Sequence, residues 1–176
     1  MQADNVLALR VALATGLRIG DVLSLSRWDL SSGGIFYVAE KTKKAGFRPL
    51  PADLYSVLKR RSARGVGWCF PSANKAGKHR TRQAVWADLR KAARLCNVKA
   101  HISPHSTRKT FAANLYRDKG LDAVRDALQH DSIATSMLYA YADRMSAAPV
   151  GEIDYDLLAD LVTARVLSIL HKKGVI

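Results

Sequence analysis

The chain has 176 residues, enough for one domain with its own core or for a domain with a short appendage. It carries 28 Lys and Arg against 15 Asp and Glu, a formal charge of +13, and a field of that sign attracts a polyanion, nucleic acid first. At 48% hydrophobic and 24% charged the composition excludes simple disorder, and no apolar run approaches the ~18 residues of a membrane span. A soluble protein with no membrane partner is expected.

Met1 is followed by Gln2, Ala3 and Asp4, not by a basic start and an apolar run, so no secretory leader is expected. Val6, Leu9 and Leu13 fall at helical spacing, and Gly16 breaks that helix. A second helix carries Val22, Leu23 and Leu25. Ser31, Ser32, Gly33 and Gly34 form a turn, and Ile35, Phe36, Tyr37 and Val38 read as a strand. Residues 41–46 make a basic hairpin or loop, and residues 47–50 a return strand that Pro49 confines to a sheet edge. Asp53 is expected to cap a helix bearing Leu54, Val57 and Leu58 on one face.

Residues 68–71 are short and apolar, and residues 72–82 form a basic loop with Lys75, Lys78, His79, Arg80 and Arg82. Val85, Leu89, Ala92 and Cys96 trace one helical face. Cys69 and Cys96 lack metal-ligand spacing, so reduced core residues and no metal site are expected. Pro104 precedes a helix with Phe111 and Leu115 that Gly120 ends, and short helices follow over residues 121–129 and 133–142. Residues 147–151 read as a linker. Residues 152–176 form a periodic apolar tail helix, possible to exchange between protomers. The whole is expected to be mainly α with a small antiparallel β-sheet (α+β).

Five features invite chemistry. Arg18 directly follows a glycine break, where it can point into a cleft or simply be solvated. His105 and Arg108 share a helical face at i and i+3, and a guanidinium fork beside an imidazole can hold a phosphate. His130 stands nine residues before Tyr139; each alone fits core packing. The run at Lys41, Lys43 and Lys44 fits a solvated face or a phosphate grip. The tail helix is the fifth.

Three segments in order carry a resemblance. Residues 14–25, with Gly16, Arg18 and Asp21, resemble the first arginine box of the tyrosine recombinases, the phage-integrase family. Residues 104–111, with His105 and Arg108, resemble its second box. Residues 128–139, with His130 and Tyr139, resemble its third. The likeness spans residues 7–142.

The resemblance implies a DNA strand-cleaving and rejoining enzyme, an integrase-type catalytic domain over residues 1–146, of a virus or mobile element. Tyr139 would attack the scissile phosphodiester and form a 3′-phosphotyrosyl link. Arg18 and Arg108 would clamp the non-bridging oxygens, His105 would assist proton transfer, and His130 would donate to the phosphate. A hairpin lysine, Lys41, Lys43 or Lys44, would protonate the leaving oxygen. Counting back from Pro49, Leu50 and Pro51 favours Lys41. Asp21 would support the pocket from behind. Lys43, Lys44, Arg48, Lys78, Arg80 and Arg82 are expected to contact DNA. A neutral tyrosine with a pKa near ~10 needs positive charge and a base nearby, and this residue set supplies both with no cofactor, metal or ATP.

Gln129 stands where the family usually has glycine, and Tyr141 is the alternative nucleophile. The first box lies so near the start that an amino-terminal clamp domain has no room, so either an isolated catalytic domain or a minimal protein is expected. Double-stranded DNA is the expected partner, with a tetramer on DNA and a monomer in isolation. The expected setting is the cytoplasm, associated with the nucleoid, in a bacterial or phage-infected cell. Two other readings share these residues: a type IB topoisomerase-like relaxing enzyme, and a non-catalytic DNA-binding module.

Overall fold

A computed structural model describes residues 1–63, 67–98 and 102–128. The chain divides into two compact units, one over Gln2–Arg108 and one from Lys109 onward. Of the sequence expectations, His130, Tyr139, Tyr141, the linker and the tail helix lie outside the described residues.

In the first unit the elements run α1 (Ala3–Thr15), α2 (Ile19–Leu23), a short 3-10 turn (Arg27–Asp29), β1 (Leu30–Ser31), β2 (Gly34–Val38), β3 (Ala45–Pro49), α3 (Ala52–Ala63) and α4 (Arg82–Leu95). The sheet is antiparallel in the order β1-β2-β3. Phe36 pairs with Phe47 and Tyr37 with Gly46 across β2 and β3. Alternation explains the sidedness: Ile35 and Tyr37 are buried, whereas Phe36 and Val38 stay exposed on the other face. Pro49, which has no N–H to donate, sits on the edge strand as expected.

The core of this unit gathers Val11 from α1, Val22 and Leu23 from α2, Ile35 from β2, Leu58 from α3, Phe70, and Val85 from α4, all fully buried. Each such aliphatic side chain contributes about 1.5–3 kcal/mol by leaving water. The segment after α3 is tied in by backbone bonds. Cys69 N–H donates to the Leu25 carbonyl, and Arg80 N–H to that of Phe70, at 2.9 and 2.8 Å.

Two expectations change here. Asp53 is the second residue of α3, not its cap, and its carboxylate pairs with Arg10 at 2.9 Å. Of the two cysteines only Cys69 belongs to the core; Cys96 closes α4 and is exposed, because the apolar face of α4 ends at Leu89.

Helix α5 (Pro104–Leu128) begins in the first unit and continues in the second. Gly120 interrupts it with φ 79° and ψ −174°, a conformation that L side chains avoid. The kink folds the second unit's helical segments onto a small apolar cluster of Ala112, Val124 and Leu128, flanked by Phe111, Leu115 and Tyr116. Among the described residues no helix is long and apolar enough to cross a membrane.

Candidate active site

Local structure around residue 16 decides where Arg18 goes. Gly16 ends α1 in the left-handed region at φ 69°, and its N–H donates to the Ala12 carbonyl. The Thr15 hydroxyl turns back to the Val11 carbonyl at 2.7 Å. The reversal buries Leu17 and sets Arg18 in extended conformation as the cap of α2. Arg18 is half-buried, its head facing an open cleft of about 420 Å³.

The first turn of α5 supplies the opposite wall. Pro104 begins the helix, where its fixed φ suits the first position. His105 and Arg108, three residues apart, both line the cleft. His105 is exposed and Arg108 is 4% exposed. The Arg108 guanidinium donates from Nη1 to the Gly16 carbonyl at 2.5 Å, so the second arginine is braced against the turn that presents the first.

The hairpin between β2 and β3 brings the lysine. The Ala39 N–H donates to the Lys44 carbonyl and the Lys43 N–H to that of Ala39, closing a tight loop with Lys43 at φ 56°. Of the three hairpin lysines, Lys41 lines the cleft and Lys43 and Lys44 do not. Asp21, 5% exposed, accepts the Glu40 N–H on Oδ1 at 2.9 Å and so ties α2 to the base of this loop.

The cleft is completed by Ile19, Gly20, Glu40 and Arg82. The DNA-facing expectations divide. Arg82 is the first residue of α4, capped by Thr81 at 3.3 Å, and stands in the cleft rather than on a free loop. Lys43, Lys44 and Lys78 are exposed outside the cleft, and Arg48 stacks over the Tyr37 ring at 5.5 Å.

Arg80 departs from the expectation. It is buried, and its guanidinium is spent on Gln2 at 2.6 Å, Asn5 at 3.1 Å and Asp4 at 2.9 Å. The basic run hid this because alternate residues of an extended segment face opposite ways. Glu40 was missed by sequence reasoning. An acid directly before Lys41 was the signal available.

What the cleft can do follows from its charge. Arg18, Arg82, Arg108 and Lys41 converge on one opening, with His105 as a titratable donor and the positive end of the α5 dipole adding to the same sign. Such a site holds a phosphate and stabilises added negative charge on it. Among the described residues no group of His, Cys, Asp and Glu is placed to hold a metal ion.

A helical fold with a three-stranded sheet and a cationic cleft of three arginines, a lysine and a histidine defines a class. The family model of the phage integrase family matches residues 1–145, and the chain belongs to that family. The tyrosine recombinase XerD of Rhizobium meliloti (strain 1021) is 30% identical over 155 residues, covering 79% of this chain and 50% of that protein. XerD of Chlorobaculum tepidum is 31% identical over 147 residues, covering 77% and 48%. The chain thus spans about half the length of these curated relatives, as the 50% and 48% figures state.

Among solved structures, XerH site-specific recombinase bound to palindromic difH substrate in a post-cleavage complex superimposes with a TM-score of 0.66 at 25% identity, covering 82% of this chain and 45% of that one. Lambda integrase (75–356), a dimer bound to a COC′ core site, gives 0.65 at 18% identity, covering 84% and 55%, a likeness of fold alone.

Proposed function

We propose that the chain is the catalytic part of a site-specific DNA recombinase, which cleaves and rejoins strands through a 3′-phosphotyrosyl intermediate. The observation that carries this reading is the convergence of Arg18, Lys41, His105 and Arg108 on one cleft, with Asp21 behind it. In this reading the Tyr139 oxygen attacks the scissile phosphorus and its proton passes to His105. The bond from phosphorus to the 5′ oxygen breaks, and Lys41 protonates the leaving oxygen. Arg18, Arg108 and His130 hold the non-bridging oxygens as charge builds on them. The 5′ hydroxyl of a new strand reverses the same steps, so the phosphotyrosyl bond conserves the energy of the broken one. Double-stranded DNA is the substrate, a tetramer on DNA the working assembly, and the cytoplasm, at the nucleoid, the setting.

The test is covalent capture. The chain is incubated with a pool of nicked duplexes of randomised sequence, which lose the leaving strand after cleavage, and adducts are isolated under denaturing conditions. Wild type is expected to yield adducts and Tyr139→Phe none, with non-covalent binding kept within a few-fold. Adducts persisting in Tyr139→Phe would move the nucleophile to Tyr141; no adduct from wild type refutes the reading.

A further inference from the structure

Two carboxylates line a cleft that is otherwise built from cations, and only one of them has a structural use. Asp21 is buried and accepts a backbone N–H. Glu40 is exposed, and its own N–H is the group Asp21 holds, so the residue is fixed at the cleft while its side chain is not needed to fix it. Glu40 Oε2 and Arg82 Cδ lie 3.5 and 3.2 Å from the point where a Cβ on Gly20 would stand, and Arg82 Nε lies 3.8 Å from it. The carboxylate therefore reaches over Gly20 beside the stem of Arg82. Neither side chain forms an ion pair among the described residues, and Glu40, exposed, lines the same opening as Arg18, Lys41 and Arg108.

We propose that Glu40 is a specificity-setting residue: its carboxylate opposes a DNA phosphate in the cleft. Duplexes held only by general charge attraction are disfavoured, and those whose other contacts press the backbone into the site are retained. An unpaired charge of the wrong sign is a known way to discriminate partners, because its repulsion weighs most on ligands with the fewest compensating contacts. The proposal rests on the recombinase reading of the cleft.

Glu40→Gln keeps the shape and removes the charge; Glu40→Asp keeps the charge. Binding of a fluorescein-labelled duplex of arbitrary sequence is measured by anisotropy over a range of salt, and the covalently captured randomised pool is sequenced for each protein. A like charge a few ångströms from a phosphate in a solvated cleft is worth about three- to tenfold in affinity. Glu40→Gln is expected to bind the arbitrary duplex tighter by that factor at low salt. Its salt slope should steepen by up to about 0.9, and its captured pool should be broader in sequence than that of wild type. Glu40→Asp is expected to match wild type in all three. Unchanged or weaker binding by Glu40→Gln, or a captured pool of unchanged breadth, overturns the proposal. A wild type that captures nothing while Glu40→Gln still binds tighter refutes the recombinase reading instead, because the anisotropy arm is independent of cleavage.

Discussion

Arg108 serves the cleft and the fold with one side chain. Its guanidinium lines the cleft and also donates to the buried turn at Gly16. Arg108→Ala is expected to abolish adduct formation, the loss of a transition-state clamp being typically worth about 3–4 kcal/mol. It should also lower folding stability by about 1–3 kcal/mol, because the Gly16 carbonyl loses a charged donor. Tyr139→Phe should do the first without the second, so thermal melting beside the capture assay separates the two residues. At Cys69, burial first and the Asp29 carboxylate second push the thiol up to about 12 from 9.0, a Ser62 hydrogen bond and Arg61 countering in part. The unfolded chain therefore ionises first, and the native state retains its proton longer. Cys69 contributes stability that is intact below about pH 9 and fades as pH rises toward 12. At neutral pH, Ellman's reagent is expected to label Cys96 rapidly and Cys69 only after denaturation; two fast thiols would refute the assignment. The exposure of Cys96 was not legible in the sequence, since a helical face extended to it on paper but the core stops about two turns earlier, at Leu89.

Among the elements, the hairpin of β2 and β3 owes its placement to α2. A two-strand ribbon with an exposed outer face has little to hold its tip, and the Asp21 carboxylate supplies a fixed point at the Glu40 N–H. Asp21→Ala is expected to speed hydrogen exchange at the Glu40 amide. It should reduce adduct formation about tenfold or more through the misplacement of Lys41. Protection at Glu40 that survives the substitution would show that the loop holds itself. The strands β2 and β3, the turn at residues 31–34 and the breaks at Gly16 and Gly120 were legible from periodicity and glycine, and the first and second boxes from resemblance; β1, only two residues long, was not. The start of α3 was not, because a helix-favouring Ala52 directly after Pro51 begins the helix one residue before Asp53 could cap it.

For the whole molecule, the +13 charge predicts DNA binding that weakens steeply with salt, but the fold decides which cations take part. Lys78 is exposed, and Lys78→Ala is expected to flatten the slope of log affinity against log salt by about 0.9. Arg80→Ala is expected to leave that slope unchanged. It should instead destabilise the fold by about 3 kcal/mol, the low end for a broken buried pair, because Arg61 still pairs with Asp4. A slope that responds to Arg80 and not to Lys78 would reverse these assignments.

The sequence by itself determined the mainly helical fold with its small sheet and the placement of His105 and Arg108 on one helical face, through spacing and periodicity, and it carried the resemblance to the family in the order of three motifs. It also placed Arg18 after a glycine break, and the left-handed turn at Gly16 is the local reason that arginine emerges where it does. Counting back from Pro49 already favoured Lys41 over Lys43 and Lys44; only the tertiary structure put Arg82 into the cleft, withdrew Arg80 into the interior and set Glu40 beside the cations. Charge of a given sign reads the same on every basic residue of a sequence; which guanidinium meets a carboxylate and which meets solvent is fixed only when distant segments, here α1, α4 and the hairpin, pack together.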